Sequence, residues 1–305
     1  MFDMAETRAA ITEDDIMANG FGVYAFVTNA EGTSYESLFE NSPEKVYRQD
    51  DKWTYDNTKF WLGNRAYQFF GVYPFDAQYN ITTDISGNPT GISHTFTTPA
   101  TADEDLVLAR ATYDTSVTEA PQTVEMNFQH MLSKVSINVW RDGAKHQNDE
   151  MRVKSAMLSN ICKTATYNST TNAWTPTQNE KMTKVGENID PTTNIGAVVQ
   201  KDGSLTYSGK SSTPFGELML LPQTIGSTLT DKVLLTIEYE LLRQNATEWE
   251  SATLEAELPN ITWRAGQRYT YNVVLSQVKY ITVYFIQTKV DPWGTPQVGG
   301  TVIIK

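Results

Sequence analysis

Three histidines and one cysteine are the residues of this chain best suited to acid–base, nucleophilic or metal chemistry, and none has the neighbours that such chemistry needs. His94, His130 and His146 stand apart, with no HExxH pattern and no pair at metal-ligand spacing. His130, inside NFQHMLSKV, reads as a strand histidine with a hydrogen-bonded ring. Cys162, in SNICKTATY, reads as a small buried thiol, and a single cysteine supports neither an intrachain disulfide nor a cysteine metal cluster. There is no GxSxG elbow, no P-loop and no GxGxxG ahead of a helix. DISGNPTG, from Asp84 to Gly91, loosely resembles an oxygen-ligand calcium loop but lacks the closing Glu, and reads as a Gly/Pro/Asn turn. The two carboxylates of a glycosidase sit about 5 to 9.5 Å apart, a distance that cannot be read from sequence, and among 36 acidic residues some pair always looks suitable. The expectation is a protein that is not an enzyme, with no catalytic residue, cofactor or metal.

Aromatic side chains offer a different chemistry. Trp53, Tyr55, Phe60, Trp61, Tyr67, Phe69, Phe70, Tyr73 and Phe75 crowd one short region, and an exposed ring face can stack on a sugar. The alternation within AYQFFGVYPF favours core packing. Trp53 and Trp61 are the candidates for the alternative, a ligand platform.

The elements that would carry these residues are nearly all strands. FGVYAFVT, RAYQFFGVYPF, LVLARATY, TVEMNFQHMLSKVSINVW, GELMLLPQ, KVLLTIEYELLR and WESATLEAEL are rich in β-branched and aromatic residues and are separated by turn residues. In KVLLTIEYELLR, Val233, Leu235, Ile237, Tyr239 and Leu241 share one face. Helical periodicity is confined to short stretches at Thr12–Met17 and Ser34–Phe39, and the polar segment 168–213 reads as long loops with one or two edge strands. The pattern predicts an all-β protein of antiparallel sandwiches. At 305 residues two domains are expected, with one large sandwich as the alternative, and the break falls in the Pro-containing stretch near Gln122: residues 1–122 and 123–305.

A net charge of -12 with no Lys/Arg cluster argues against nucleic acid as a partner. No apolar run approaches the roughly 18 residues of a membrane span. No charged n-region followed by an apolar h-region opens the chain, so the expectation is that any signal peptide has been removed or never existed. At the other end, WRAGQRYTYNVVLSQVKYITVYFIQTKVDPWGTPQVGGTVIIK holds two long alternating strands and a last apolar segment that needs a pairing partner.

Taken in order, TRAAIT, GFGVYAFVT, DDKWTYDNTKFWLGNRAYQFFGVYP, NFQHMLSKVSINV, WRAGQRYTYNVVL and a closing VDPW resemble the fimbrillin family, the type V pilins and related lipoproteins of Gram-negative gut and oral anaerobes. The resemblance covers nearly the whole chain. It implies two transthyretin-like antiparallel β-sandwich domains in tandem, and a structural or adhesive subunit of cell-surface fimbriae. It implies export to the outer membrane as a lipoprotein, then cutting by a trypsin-like, Arg-specific protease that removes the first strand. A C-terminal strand of a neighbouring subunit, self or sister and joined head to tail, would then complete the sandwich by donor-strand exchange.

Carried onto this sequence, the cut falls between Arg8 and Ala9 and discards segment 1–8, and the donor strand is Gly300, Thr301, Val302, Ile303, Ile304 and Lys305. The family's lipobox cysteine has no counterpart, since Cys162 is internal: leader and lipobox are not in this sequence, and membrane anchoring is implied by the resemblance alone. The alternative function is a glycan-binding surface lipoprotein or tip adhesin, with a host or bacterial surface glycan or protein as partner.

Overall fold

The computed structural model describes residues 10–40, 43–50, 52–75, 77–99, 104–117, 123–202, 204–226, 228–276, 283–292 and 301–303, the last two stretches as backbone only. Strands dominate, and the one helix among the described residues is Glu13–Asn19. Thr12 caps it reciprocally: the Asp15 amide donates to Thr12 Oγ1 at 3.3 Å, and the Thr12 amide donates to Asp15 Oδ2 at 2.7 Å. Gly20, at φ 74, ends the helix, and a Cβ there would collide with the Val46 carbonyl oxygen.

Phe21–Thr28 follows directly and is buried on both faces, which is why FGVYAFVT is continuously apolar. Phe21, Val23, Ala25 and Val27 enter one hydrophobic cluster, while Tyr24 and Phe26 enter another on the opposite face. Antiparallel neighbours are Ala66–Tyr73 on one side and Glu44–Gln49 on the other. Ala66–Tyr73 pairs in turn with Val107–Asp114, and Val107–Asp114 with Gln129–His130. Beyond Glu44–Gln49 come Lys52–Thr54, Thr301–Ile303 and Thr123–Glu125.

In the C-terminal half two sheets face each other across one core. Ser133–Asp142, Glu217–Leu220, Gln267–Leu275 and Val283–Pro292 belong to the first; Glu150–Cys162, Lys181–Val185, Leu234–Leu242 and Glu250–Glu257 form the second. Val135, Ile137, Val139, Tyr269, Tyr271 and Val273 pack from one side against Met151, Val153, Leu158, Leu235, Ile237 and Tyr239 from the other. The single face predicted for Val233 to Leu241 is fully buried there.

Four features differ from the sequence reading. Ser34–Phe39 is not helical: Tyr35–Ser37 pairs antiparallel with Phe26–Thr28, returned by a loop in which Asn29 Oδ1 accepts from the Thr33 amide at 2.9 Å. The long strand expected from Val124 is three strands, Thr123–Glu125, Gln129–His130 and Ser133–Asp142, because each pairs with a different part of the fold.

The polar stretch 168–213 carries Ala173–Pro176, Lys181–Val185, Ala197–Lys201 and Ser204–Ser208. Asn172, Asn179 and Asp202 take the positive φ that its tight turns need. Finally, Ser133–Asp142 and Gln267–Leu275 run parallel from Lys134↔Arg268 to Arg141↔Leu275, so this sheet is mixed, while the sheet facing it is antiparallel throughout as expected.

One sheet joins strands from both sides of the break expected near residue 122: Asn80–Thr83 and Pro89–Thr97 pair on to Thr164–Asn168 and Ala173–Pro176. Its core cluster draws on Tyr24, Phe70 and Leu106 as well as Ala165, Tyr167 and Met219.

Candidate functional site

Thr301–Ile303 is an interior strand formed from the far end of the sequence. Val302 is level with Trp53 in a parallel pairing and with Val124 in an antiparallel one. Without that strand, Lys52–Thr54 and Thr123–Glu125 would each present an unpaired edge of N–H and C=O groups. The two walls are rooted in the N-terminal core. Val124, Met126 and Phe128 lie in one buried cluster with Trp53, whose ring meets Phe21 edge-on at 5.2 Å, and Phe21 meets Phe128 at 5.0 Å. The Arg48 guanidinium sits 5.9 Å from the Trp53 ring. Lys52–Thr54 and Thr123–Glu125 thus frame a slot that holds Thr301–Ile303 by backbone pairing, and both walls are anchored in an aromatic-rich core.

The candidate cleavage residues Arg8 and Ala9, and Gly300, Ile304 and Lys305 of the candidate donor strand, lie outside the described residues. Just after Ala9 the chain is fastened. Ala10 packs on one core cluster and Ile11 on the other, and the Ile11 amide donates to Asp105 Oδ2 at 2.9 Å. Asp105 is buried; its Oδ1 accepts from the Leu106 amide at 2.8 Å, and its Oδ2 lies 2.7 Å from His130 Nδ1. Asp105 was absent from the sequence-based candidates, and a contact across 94 positions leaves no local pattern by which to find it.

Each histidine ring is held by hydrogen bonds. His130 has the hydrogen-bonded ring expected of it. His94 donates from Nδ1 to the Gln78 carbonyl at 2.7 Å and stacks on Tyr79 at 4.5 Å, and burial lowers its pKa. His146 holds Asp149 Oδ2 at 2.8 Å and the Ser276 carbonyl at 2.9 Å. Burial opposes ionisation of Asp149, but hydrogen bonds from His146 and the Gln244 amide outweigh it and keep the carboxyl below its ordinary range. Asp84 spends its carboxylate inside its turn, accepting from the Ser86 and Asn88 amides at 2.8 and 2.9 Å. Among the described residues no three His, Cys, Asp or Glu converge to hold a metal.

Cys162 is buried, and that burial raises its pKa. Iodoacetamide is therefore expected to leave it unlabelled in the native protein and to label it fully in guanidinium, as read by intact mass. Rapid native labelling would contradict the packing described.

Trp53 is 4% exposed, and Trp61 is half-buried with its ring 4.6 Å from Tyr67 and 5.8 Å from Phe69 and Tyr113. Both indole N–H groups are buried with no hydrogen-bond partner among the described residues. The Trp53 ring is therefore closed to a ligand, while Trp61 keeps part of its surface exposed beside the exposed Phe60 and Leu62. Among the described residues no helix is long and apolar enough to cross a membrane.

No curated relative matches the sequence. A fimbrial protein from Bacteroides vulgatus is similar in structure, with a TM-score of 0.65 at 17% identity over 93% of this chain and 96% of that one. A candidate cell adhesion protein from Bacteroides ovatus has a TM-score of 0.50 at 16% identity, covering 90% of this chain and 88% of the other. At such identities the likeness speaks for the fold. The sequence itself matches the fimbrillin-like family over residues 7–293, nearly its full length, and the chain belongs to that family.

Proposed function

We propose that this protein is a non-catalytic subunit of cell-surface fimbriae, and that subunits join by passing a C-terminal strand from one copy into the N-terminal sheet of the next. The observation that carries this is the seat of Thr301–Ile303: a sheet built from the first half of the chain is completed by three residues from its last five. A slot that takes a strand so remote in sequence takes the same strand from another subunit by the same backbone pairing. Head-to-tail contacts of this kind do not close on themselves, and so they build filaments. Family membership supports other pilin subunits, self or sister, as the partners.

Processing fits the same scheme. Export as an outer-membrane lipoprotein and cutting between Arg8 and Ala9 by a trypsin-like protease come from the family resemblance. The anchorage of Ile11 to Asp105 means that such a cut would free only the segment before it. Arg8→Ala precursor treated with a trypsin-like protease is expected to keep its N-terminal segment and to form no fibres by electron microscopy, while the wild-type precursor loses residues 1–8 and assembles. Equal assembly of the two would remove Arg8 from the scheme.

A further inference from the structure

We propose that Thr301–Ile303 is also a plug that acts in cis: in the unassembled subunit it fills the chain's own strand slot, and an incoming strand must displace it. This rests on the strand-exchange role above and adds its regulation. Pairing on both sides leaves no open edge between Lys52–Thr54 and Thr123–Glu125. An unplugged subunit would display two such edges, a known route to indiscriminate strand pairing.

The tether favours the plug. Val283–Pro292 is paired to Gln267–Leu275 in the C-terminal sheet, and only residues 293–300 separate it from Thr301. Nine residue steps reach at most about 30 Å. A strand held on so short a leash sees its slot at an effective concentration in the millimolar range. Micromolar free subunits therefore compete poorly for the slot while the plug is in place. The plug is nevertheless weak enough to leave, because it pairs over three residues on one side and at a single register position on the other. The consequence is a subunit that stays monomeric after release and polymerises with a lag set by plug opening.

The test is a cross-link in the full chain. Val302→Cys with Val124→Cys places two thiols on directly opposed residues of an antiparallel pair, within the reach of a disulfide. Under mild oxidation the expected product is an internally bridged monomer whose yield does not depend on protein concentration, and which polymerises only after reduction. Bridged dimers whose yield rises with concentration, or no bridge at all, would overturn the plug. Cys162 is buried and does not compete.

A second measurement separates the plug from the slot. A fluorescent synthetic peptide with the sequence of residues 298–305 is expected to bind wild-type subunit at least about tenfold more weakly than a chain ending at residue 300. Equal binding to both chains overturns the plug and leaves strand exchange standing. Binding to neither sinks strand exchange, and the plug with it. If the shortened chain does not fold, the cross-link alone decides.

Discussion

A chain lacking Thr301 to Lys305 is expected to fold and yet form no fibres, so that polymerisation under conditions where wild type assembles completely falls to nothing by electron microscopy and sedimentation. The residues removed include the one described strand that joins Lys52–Thr54 to Thr123–Glu125. Each lost backbone hydrogen bond costs roughly 1 kcal/mol, and a strand of three residues makes only a few. The total is a fraction of the usual 5–15 kcal/mol of domain stability, so far-ultraviolet circular dichroism should retain its β spectrum with a lowered midpoint.

The deletion is asymmetric in a way that ordinary destabilisation is not: the shortened chain keeps the slot but has no strand to give. Mixed into wild-type protein at substoichiometric levels, it should occupy growing ends and shorten the fibres. A merely unstable variant would dilute the reaction without capping it. Undiminished assembly by the deletion variant would remove the donor role from this segment.

The same strand marks where sequence periodicity stops being informative. Local pattern is sufficient for elements whose burial is decided within a few residues. Tyr269, Tyr271, Val273 and Leu275 alternate with Thr270, Asn272 and Val274 because one face of their strand meets the core, and the structure buries all four. Thr12, followed by acidic residues and closed by Gly20, marks a helix start and stop whatever surrounds it.

Long-range partners leave no such trace. Nothing in TVIIK points to Trp53 or Val124, and nothing in Ile11 points to Asp105, because hydrogen bonding to a distant backbone places no requirement on side-chain spacing. The direction of the Ser133–Asp142 and Gln267–Leu275 pair is hidden for the same reason. Parallel and antiparallel neighbours bury the same alternating face, and only the connection between them, here the whole of the second sheet, decides the sense. The polar stretch 168–213 failed differently. Its strands turn through Asn and Asp and are largely exposed, so polarity masked pairing that backbone hydrogen bonds maintain.

Trp53 decides between the two uses that aromatic residues could have here. If it served to stack a sugar, Trp53→Ala would leave the protein as stable as before and abolish ligand binding. The structure instead places the ring in the N-terminal core, edge-on to Phe21 and beside the Arg48 guanidinium, on the wall of the slot. Replacing so large a buried ring by a methyl group is expected to cost about 3–5 kcal/mol, the transfer loss plus the cavity left behind.

Urea unfolding followed through its midpoint at constant slope measures that cost directly. Trp61→Ala, where the ring is half-buried, is expected to cost less. Trp53→Phe keeps an aromatic partner for Phe21 and removes a buried indole N–H that has no described acceptor, so it should recover much of the loss. Because Trp53 is level with Val302, Trp53→Ala should also weaken strand capture, and fibre yield should drop further than for a variant of equal instability made in the C-terminal core, such as Leu235→Ala. Equal yields at matched stability would mean that the slot takes its strand by backbone pairing alone, with the aromatic wall contributing only to the fold.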